Sequence, residues 1–201
     1  MSNILVLNSS LSGEASVSRL LVADAVTELT QRDPGATLVF RDLAAAPIPH
    51  LTLETVAGVR AQATTPAELA SRALSDELIA ELRAADTIVI GAPMYNFSIP
   101  TTLRTWFDHV LRPGVTFSYS EAGPKGLIEG KRVIVVEARG GLYSEGPAQA
   151  ADFQEPYLRQ LLGFIGMTDV TFIRAEKIGY GPDARDQAVA DSRAELARLA
   201  A

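Results

Sequence analysis

Three stretches of the chain concentrate groups suited to holding a ligand. In the first, Asn8 to Ser18, Ser9, Ser10, Ser12, Ser16 and Ser18 lie between an apolar run and an amphipathic pattern. Serine hydroxyls beside the free N–H groups of a helix start make a cradle for an anion, because the helix dipole favours negative charge there. The stretch lacks G-x-G-x-x-G and G-x-x-x-x-G-K-[S/T], which disfavours a Rossmann dinucleotide site and a nucleoside triphosphatase and leaves a monophosphate as the fitting anion. A plain turn and cap would use the same residue types. The second stretch, Gly91 to Pro100, presents Met94, Tyr95, Asn96 and Phe97 between prolines. Apolar walls with amide groups between them suit a flat aromatic heterocycle, although the same residues also suit a core packed under a loop. In the third, Ala138-Arg139-Gly140-Gly141, paired glycines allow close approach of a ligand to the backbone and leave N–H groups for ring carbonyls; an ordinary turn is the alternative.

Other chemistries are disfavoured. The 201 residues include no cysteine, which removes disulfides, thiolate metal sites and a cysteine nucleophile. His50 and His109 stand far apart and outside any ligand-spaced cluster, so no metal is expected. No G-x-S-x-G turn supports Ser9 or Ser10 as a hydrolase nucleophile. Arg60 is a candidate for attracting an anionic substrate, against the commoner role of a solvated surface group. With 24 acidic against 18 basic residues and a net charge of −6, neither nucleic acid nor an anionic membrane is an expected partner. The run Ile4 to Leu7 is too short and lacks the basic flank of a signal peptide, and no stretch approaches a membrane span, so a cytoplasmic location is expected.

The elements that must position these loops are legible from periodicity. Apolar runs at Ile4–Leu7, Thr37–Phe40, Thr87–Ile90, Val133–Val136 and Val170–Ile173 do not alternate, the pattern of strands buried on both faces of a parallel sheet. Between them Leu21, Ala25 and Leu29, then Leu74, Leu78 and Leu82, form helical stripes. Thr65-Pro66-Ala67-Glu68 carries a capping-box signature, and Pro113-Gly114 ends a helix bearing Leu103, Trp106, Phe107 and Val110. Val189, Ser192, Leu196 and Leu199 line the last helix. Five strands alternating with helices predict an α/β, doubly wound three-layer sandwich, one domain over residues 1–201, with ligands beyond the carboxyl ends of the strands. Residues 44–64 and 113–130 exceed the minimal unit, and Thr116 to Tyr119 suggests a hairpin arm.

Taken together, A-P-M-Y-N-F at 92–97 and R-G-G at 139–141, with Pro47-Ile-Pro49, Gly114-Val-Thr-Phe117, Gly163-Phe-Ile-Gly166 and Tyr180-Gly-Pro182, resemble the FMN-dependent NADH azoreductase family, a branch of the flavodoxin-like quinone reductases. The resemblance spans essentially the whole chain. It implies a five-stranded parallel sheet of order 2-1-3-4-5 and a homodimer with one FMN per subunit near the interface. It also implies a ping-pong reaction in which NADH reduces the flavin and the flavin reduces a quinone or an azo compound, with no catalytic side chain required. Carried over by position, the phosphate contacts fall on Ser10, Ser16, Val17 and Ser18. The ring contacts fall on Met94, Tyr95, Asn96, Phe97 and Ala138 to Gly141, where Ala138 replaces a frequent serine. Tyr119 and Phe164 match positions that the family uses to shape the substrate pocket, to which Arg60 is added as the candidate for attracting an anionic substrate. A flavodoxin-type electron carrier and a flavin-responsive interaction protein are the alternatives from other classes.

Overall fold

The computed structural model describes residues 2–121 and 123–199. Five parallel strands, β1 (Asn3–Asn8), β2 (Thr37–Asp42), β3 (Thr87–Pro93), β6 (Arg132–Ala138) and β7 (Asp169–Ala175), form one sheet of order β2-β1-β3-β6-β7. Counted among themselves, these strands have the order 2-1-3-4-5 that the resemblance implies. Helices α1 (Val17–Arg32) and α6 (Pro182–Leu199) cover one face of the sheet. On the other face lie α3 (Pro66–Ala84), α4 (Thr101–Val110) and α5 (Glu155–Phe164).

Strand parity divides the core. Leu5, Leu7, Ile88, Ile90, Val133 and Val135 pack with Leu78, Leu103, Trp106 and Leu162, whereas Ile4, Val6, Val89, Ile134 and Val136 pack with Leu21, Ala25, Val189 and Leu196. The capping box forms as its residues predict: Thr65 Oγ1 accepts the Glu68 N–H at 3.3 Å while Thr65 N–H donates to Glu68 Oε2 at 2.9 Å.

The run Thr37–Phe40 departs from expectation. It forms β2, but as an edge strand, and Phe40 is 60% exposed rather than buried on both faces. A continuous apolar run reports strand propensity, whereas burial depends on its place in the sheet, and here β2 has a neighbour on one side only.

The two extra segments also acquire structure. Residues 44–64 include a short helix α2 (Val56–Arg60) laid so closely on α3 that a Cβ on Gly58 would stand 2.4 Å from the Glu68 carbonyl oxygen. Within 113–130, β4 (Phe117–Ser120) and β5 (Gly123–Gly126) pair antiparallel, the hairpin arm that Thr116 to Tyr119 suggested. Its base is anchored where Ile128 N–H donates to the Ile165 carbonyl and where a Cβ on Gly126 would meet the Gly166 backbone nitrogen at 2.2 Å.

Candidate cofactor cleft

The loops after β1, β3 and β6 meet at the carboxyl edge of the sheet around a cleft of about 210 Å³. It is lined by Ser10, Ser12, Ala15, Ser16, Val17, Pro93, Met94, Tyr95, Ala138, Gly140, Ile178 and Arg185. Ser9 takes no place in the lining: its hydroxyl donates to the Gly91 carbonyl at 2.6 Å, clamping the ends of β1 and β3 together.

Ser16 caps α1, its Oγ accepting the Arg19 N–H at 3.2 Å and lying 3.1 Å from Ser18 Oγ. The Leu20 N–H goes to the Ser16 carbonyl, so the Val17 and Ser18 N–H groups have no acceptor among the described residues and remain available at the positive end of the helix dipole. No acidic residue occupies the first turn of α1, and Arg185 of α6 adds a cation to the lining. An anion is the ligand this end of the cleft suits.

The opposite wall is a tight turn. Tyr95 and Ser98 exchange both backbone hydrogen bonds, at 3.0 and 3.2 Å, which forces Asn96 to φ 48° and Phe97 to φ 72°. Asparagine tolerates this left-handed region, but at phenylalanine it stores strain of order 1–3 kcal/mol, as loops shaped for a ligand often do. The turn leaves the Asn96 and Phe97 N–H groups without an acceptor among the described residues, while the Phe97 carbonyl accepts from Phe153. Phe97 is half exposed and stands edge-on to Tyr143 at 6.2 Å. The Tyr95 hydroxyl reaches the serine loop, accepting the Leu11 N–H at 3.0 Å and lying 3.4 Å from Ser10 Oγ. Burial pushes this phenol up, but the hydrogen bonds from Ser10, Ser12 and Leu11 outweigh it and hold Tyr95 below the usual tyrosine range.

The third loop supplies Ala138, whose carbonyl accepts the Met94 N–H at 2.9 Å, and Gly140. A Cβ on Gly140 would meet nothing within 4 Å among the described residues, so open space faces its backbone. The Gly140 and Gly141 carbonyls are taken by Gly179 and Lys177, leaving their N–H groups without an acceptor among the described residues.

Seven of the sequence-expected cofactor residues thus line the cleft: Ser10, Ser16, Val17, Met94, Tyr95, Ala138 and Gly140. Ser18, Asn96, Phe97 and Gly141 adjoin the lining without belonging to it. Arg139 turns away: its side chain is fully buried among Glu137, Asp152, Glu155 and Glu176, and both of its backbone groups are engaged, with Ala175 and Ile178. Tyr119, Phe164 and Arg60 do not line the cleft either. Tyr119 and Phe164 flank Phe117 at ring separations of 5.5 and 4.5 Å, and Arg60 donates to the Leu111 and Asp108 carbonyls at the end of α4. Ser12 was read only as one of the five hydroxyls of the first loop, and Ile178 and Arg185 were not singled out by the sequence; the nearby Tyr180-Gly-Pro182 motif was the available signal for Ile178.

A strand-loop-helix cradle at the carboxyl edge of a five-stranded parallel sheet defines the class, and the chain belongs to the flavodoxin-like fold family, which it matches over residues 2–200. Within that class it is 63% identical to the FMN-dependent NADH:quinone oxidoreductase of Hyphomonas neptunium, over all of this chain and 96% of that one. It is 51% identical to the protein of the same name in Ralstonia nicotianae, over 96% of this chain and 94% of that one. Among solved structures, the azoreductase of Bacillus anthracis str. Sterne superposes with a TM-score of 0.90 at 29% identity, covering 100% of this chain and 99% of that chain. Among the described residues no helix is long and apolar enough to cross a membrane.

Proposed function

We propose that this protein is an FMN-dependent NADH:quinone oxidoreductase that also reductively cleaves aromatic azo compounds, acting as a single-domain subunit of a cytoplasmic homodimer. The observation that carries the reading is the joining of two half-sites in one cleft: the Ser10–Ser16–Val17 helix terminus suited to a phosphate, and the Met94, Tyr95, Ala138 and Gly140 lining suited to a flat ring. Relatives named FMN-dependent NADH:quinone oxidoreductase match 96% or more of the chain.

FMN, when bound, supplies the two-electron chemistry, taking hydride from NADH and passing the electron pair to an acceptor. The chain's own residues do the rest. Ser10, Ser16 and Ser18, with the Val17 and Ser18 N–H groups and Arg185, hold the phosphate and fix the position of the ring. Met94, Tyr95 and Phe97 wall the ring, and the N–H groups of Asn96, Phe97, Gly140 and Gly141 are the donors that stabilise negative charge developing on it, the electrostatic logic of an oxyanion hole. A quinone takes one such cycle; an azo bond cleaved to two amines takes two.

In the dimer, Tyr119, Phe164 and Arg60 serve the substrate pocket. Tyr119 is 72% exposed on the β4–β5 arm, and Leu53 and Phe153 are also exposed, which leaves apolar groups for a second subunit to cover. A stacked slot used in turn by nicotinamide and acceptor excludes water from hydride transfer and explains a ping-pong order. NADH supply fits a cytoplasmic setting.

The direct test is NADH consumption by the FMN-loaded protein with and without a quinone. Steady consumption that depends on quinone supports an enzyme; none in a fully loaded sample contradicts it and leaves a carrier or an interaction protein.

A further inference from the structure

Strand β6 sends alternate residues to opposite sides. Ala138, and Gly140 beyond it, face the cleft, whereas Glu137 and Arg139 point toward α5 and are both fully buried. There Arg139 stands at the centre of a charge cluster. Its Nε donates to Gln154 Oε1 at 3.0 Å, and Gln154 Nε2 in turn donates to the Ala92 carbonyl at 2.8 Å, just ahead of the Met94–Phe97 wall. Its Nη1 lies 3.3 Å from Glu176 Oε1, which also accepts the Tyr143 and Ser144 N–H groups at 2.7 and 3.0 Å, just beyond Gly140-Gly141. One guanidinium is thereby tied to both loops that build the ring end of the cleft.

We propose that Arg139 is the positioning residue of the cofactor cleft, holding the Gly140–Gly141 and Met94–Phe97 loops in register through Glu176 and Gln154, and that a proton carried by Glu137 keeps this hold intact.

Charge balance supports the second half. Around Glu137 stand Arg139 on its own strand, Asp152 before α5, Glu155 and Arg159 on α5, Arg174 on β7, Glu176 beyond β7, and Glu195 of α6 near Arg174. Arg159 and Arg174 pair with Glu155, and Arg139 serves Asp152 and Glu176. Ionised Glu137 is therefore a surplus buried anion, a costly state. Its contact with Arg139 is close, 2.5 Å to Nη2, but misaligned, and neither Glu137 oxygen has a hydrogen-bond partner among the described residues. Burial pushes Glu137 up to about 8, Glu155 and Asp152 adding to it against the pull of Arg139. A groove of about 390 Å³ lined by Tyr143, Ser144, Asp152, Glu155 and Arg174 among others adjoins the cluster and gives the proton a way to solvent. Once ionised, Glu137 competes with Glu176 and Asp152 for the guanidinium, and the loops lose their shared anchor.

The role rests on the cleft being an FMN site, and the experiment separates the two claims. Backbone amide signals of Gly140, Gly141 and Asn96 are followed by NMR in the apoprotein from pH 6.5 to 9, and FMN affinity is measured by fluorescence over the same range. The proposal expects these amides to titrate together with the Glu137 carboxyl in the native chain and to stay flat in Glu137→Gln. It expects FMN affinity to fall about ten-fold between pH 7 and 9 in the native chain and less than two-fold in Glu137→Gln. Arg139→Lys keeps the charge but cannot reach Gln154 and Glu176 together, so it loses at least ten-fold in affinity with native circular dichroism. Amides indifferent to Glu137 titration, a Glu137→Gln profile matching the native one, or native affinity in Arg139→Lys each overturn the proposal. Titrating amides without FMN binding at any pH overturn the cofactor reading and support the mechanical hold. Glu137→Gln decides the matter if Arg139→Lys fails to fold.

Discussion

The Tyr95 hydroxyl accepts the Leu11 backbone N–H at 3.0 Å, across 84 positions of sequence, and so joins the serine loop after β1 to the aromatic loop after β3. The two halves of the cleft, one suited to a phosphate and the other to a ring, are fixed relative to each other by a side chain that also belongs to the ring wall. A rigid spacing between these halves selects a ligand of one length.

Tyr95→Phe removes this tie while keeping the aromatic wall. The loss of one hydrogen bond of about 1 kcal/mol predicts FMN affinity reduced roughly five-fold, with the melting temperature nearly unchanged because Leu11 N–H can turn to water. Fluorescence titration of the apoprotein measures it.

Ser16→Asp retains a helix cap, since aspartate serves that position as well as serine, but sets a carboxylate in the proposed phosphate site. Like charges 4 Å apart in a partly screened site repel by about 4 kcal/mol, which predicts a loss of FMN affinity approaching 1000-fold in a folded protein. A variant purified yellow with full flavin content would show that the phosphate lies elsewhere.

Glu137 makes stability fall as pH rises. Its carboxyl holds a proton up to about 8 in the folded chain, against 4.5 as the ordinary value, so between these limits the folded state binds a proton that the unfolded state has released. Stability from this group is complete below pH 4.5 and declines toward pH 8 by at most about 1.4 kcal/mol per pH unit. Glu137→Gln lacks the decline. Calorimetry at pH 5.5 and 7.5 is expected to show the variant gaining on the native chain at the higher pH; an unchanged difference contradicts the assignment.

Tyr119 is predicted to act on the acceptor rather than on the cofactor. Tyr119→Ala is expected to lower kcat/KM for quinone about ten-fold, the worth of one lost stacking contact of roughly 1–1.5 kcal/mol, while FMN affinity stays as it was. Sedimentation of the native chain at micromolar concentration is expected to show a dimer; a monomer with full quinone reductase activity would remove Tyr119, Phe164 and Arg60 from the pocket.

Much of this arrangement was legible in the residues. The five apolar runs, the Thr65–Glu68 capping box and the hairpin arm form where local chemistry places them, because propensity and capping act within a few residues. The exposure of Phe40 was not legible, since edge position depends on which strands lie beside β2. Arg139 is a different case. Strand parity puts residues 133, 135, 137 and 139 on one side and 134, 136 and 138 on the other, so a period-two reading through Arg139 separates it from Ala138 and the cleft. The R-G-G motif identifies the right loop but not the direction of its first side chain. Arg185 was hidden for another reason: its approach to the cleft depends on how α6 docks against α1 and β7, which no local pattern records.

Rapid mixing of the FMN-loaded protein under anaerobic conditions tests most directly whether one cleft serves two successive guests. NADH alone is predicted to bleach the visible flavin absorbance in a single phase, and quinone mixed afterwards, with NADH exhausted, to restore it at a rate no slower than turnover. A flavin that NADH leaves oxidised, or that quinone fails to reoxidise on the timescale of turnover, would contradict the account.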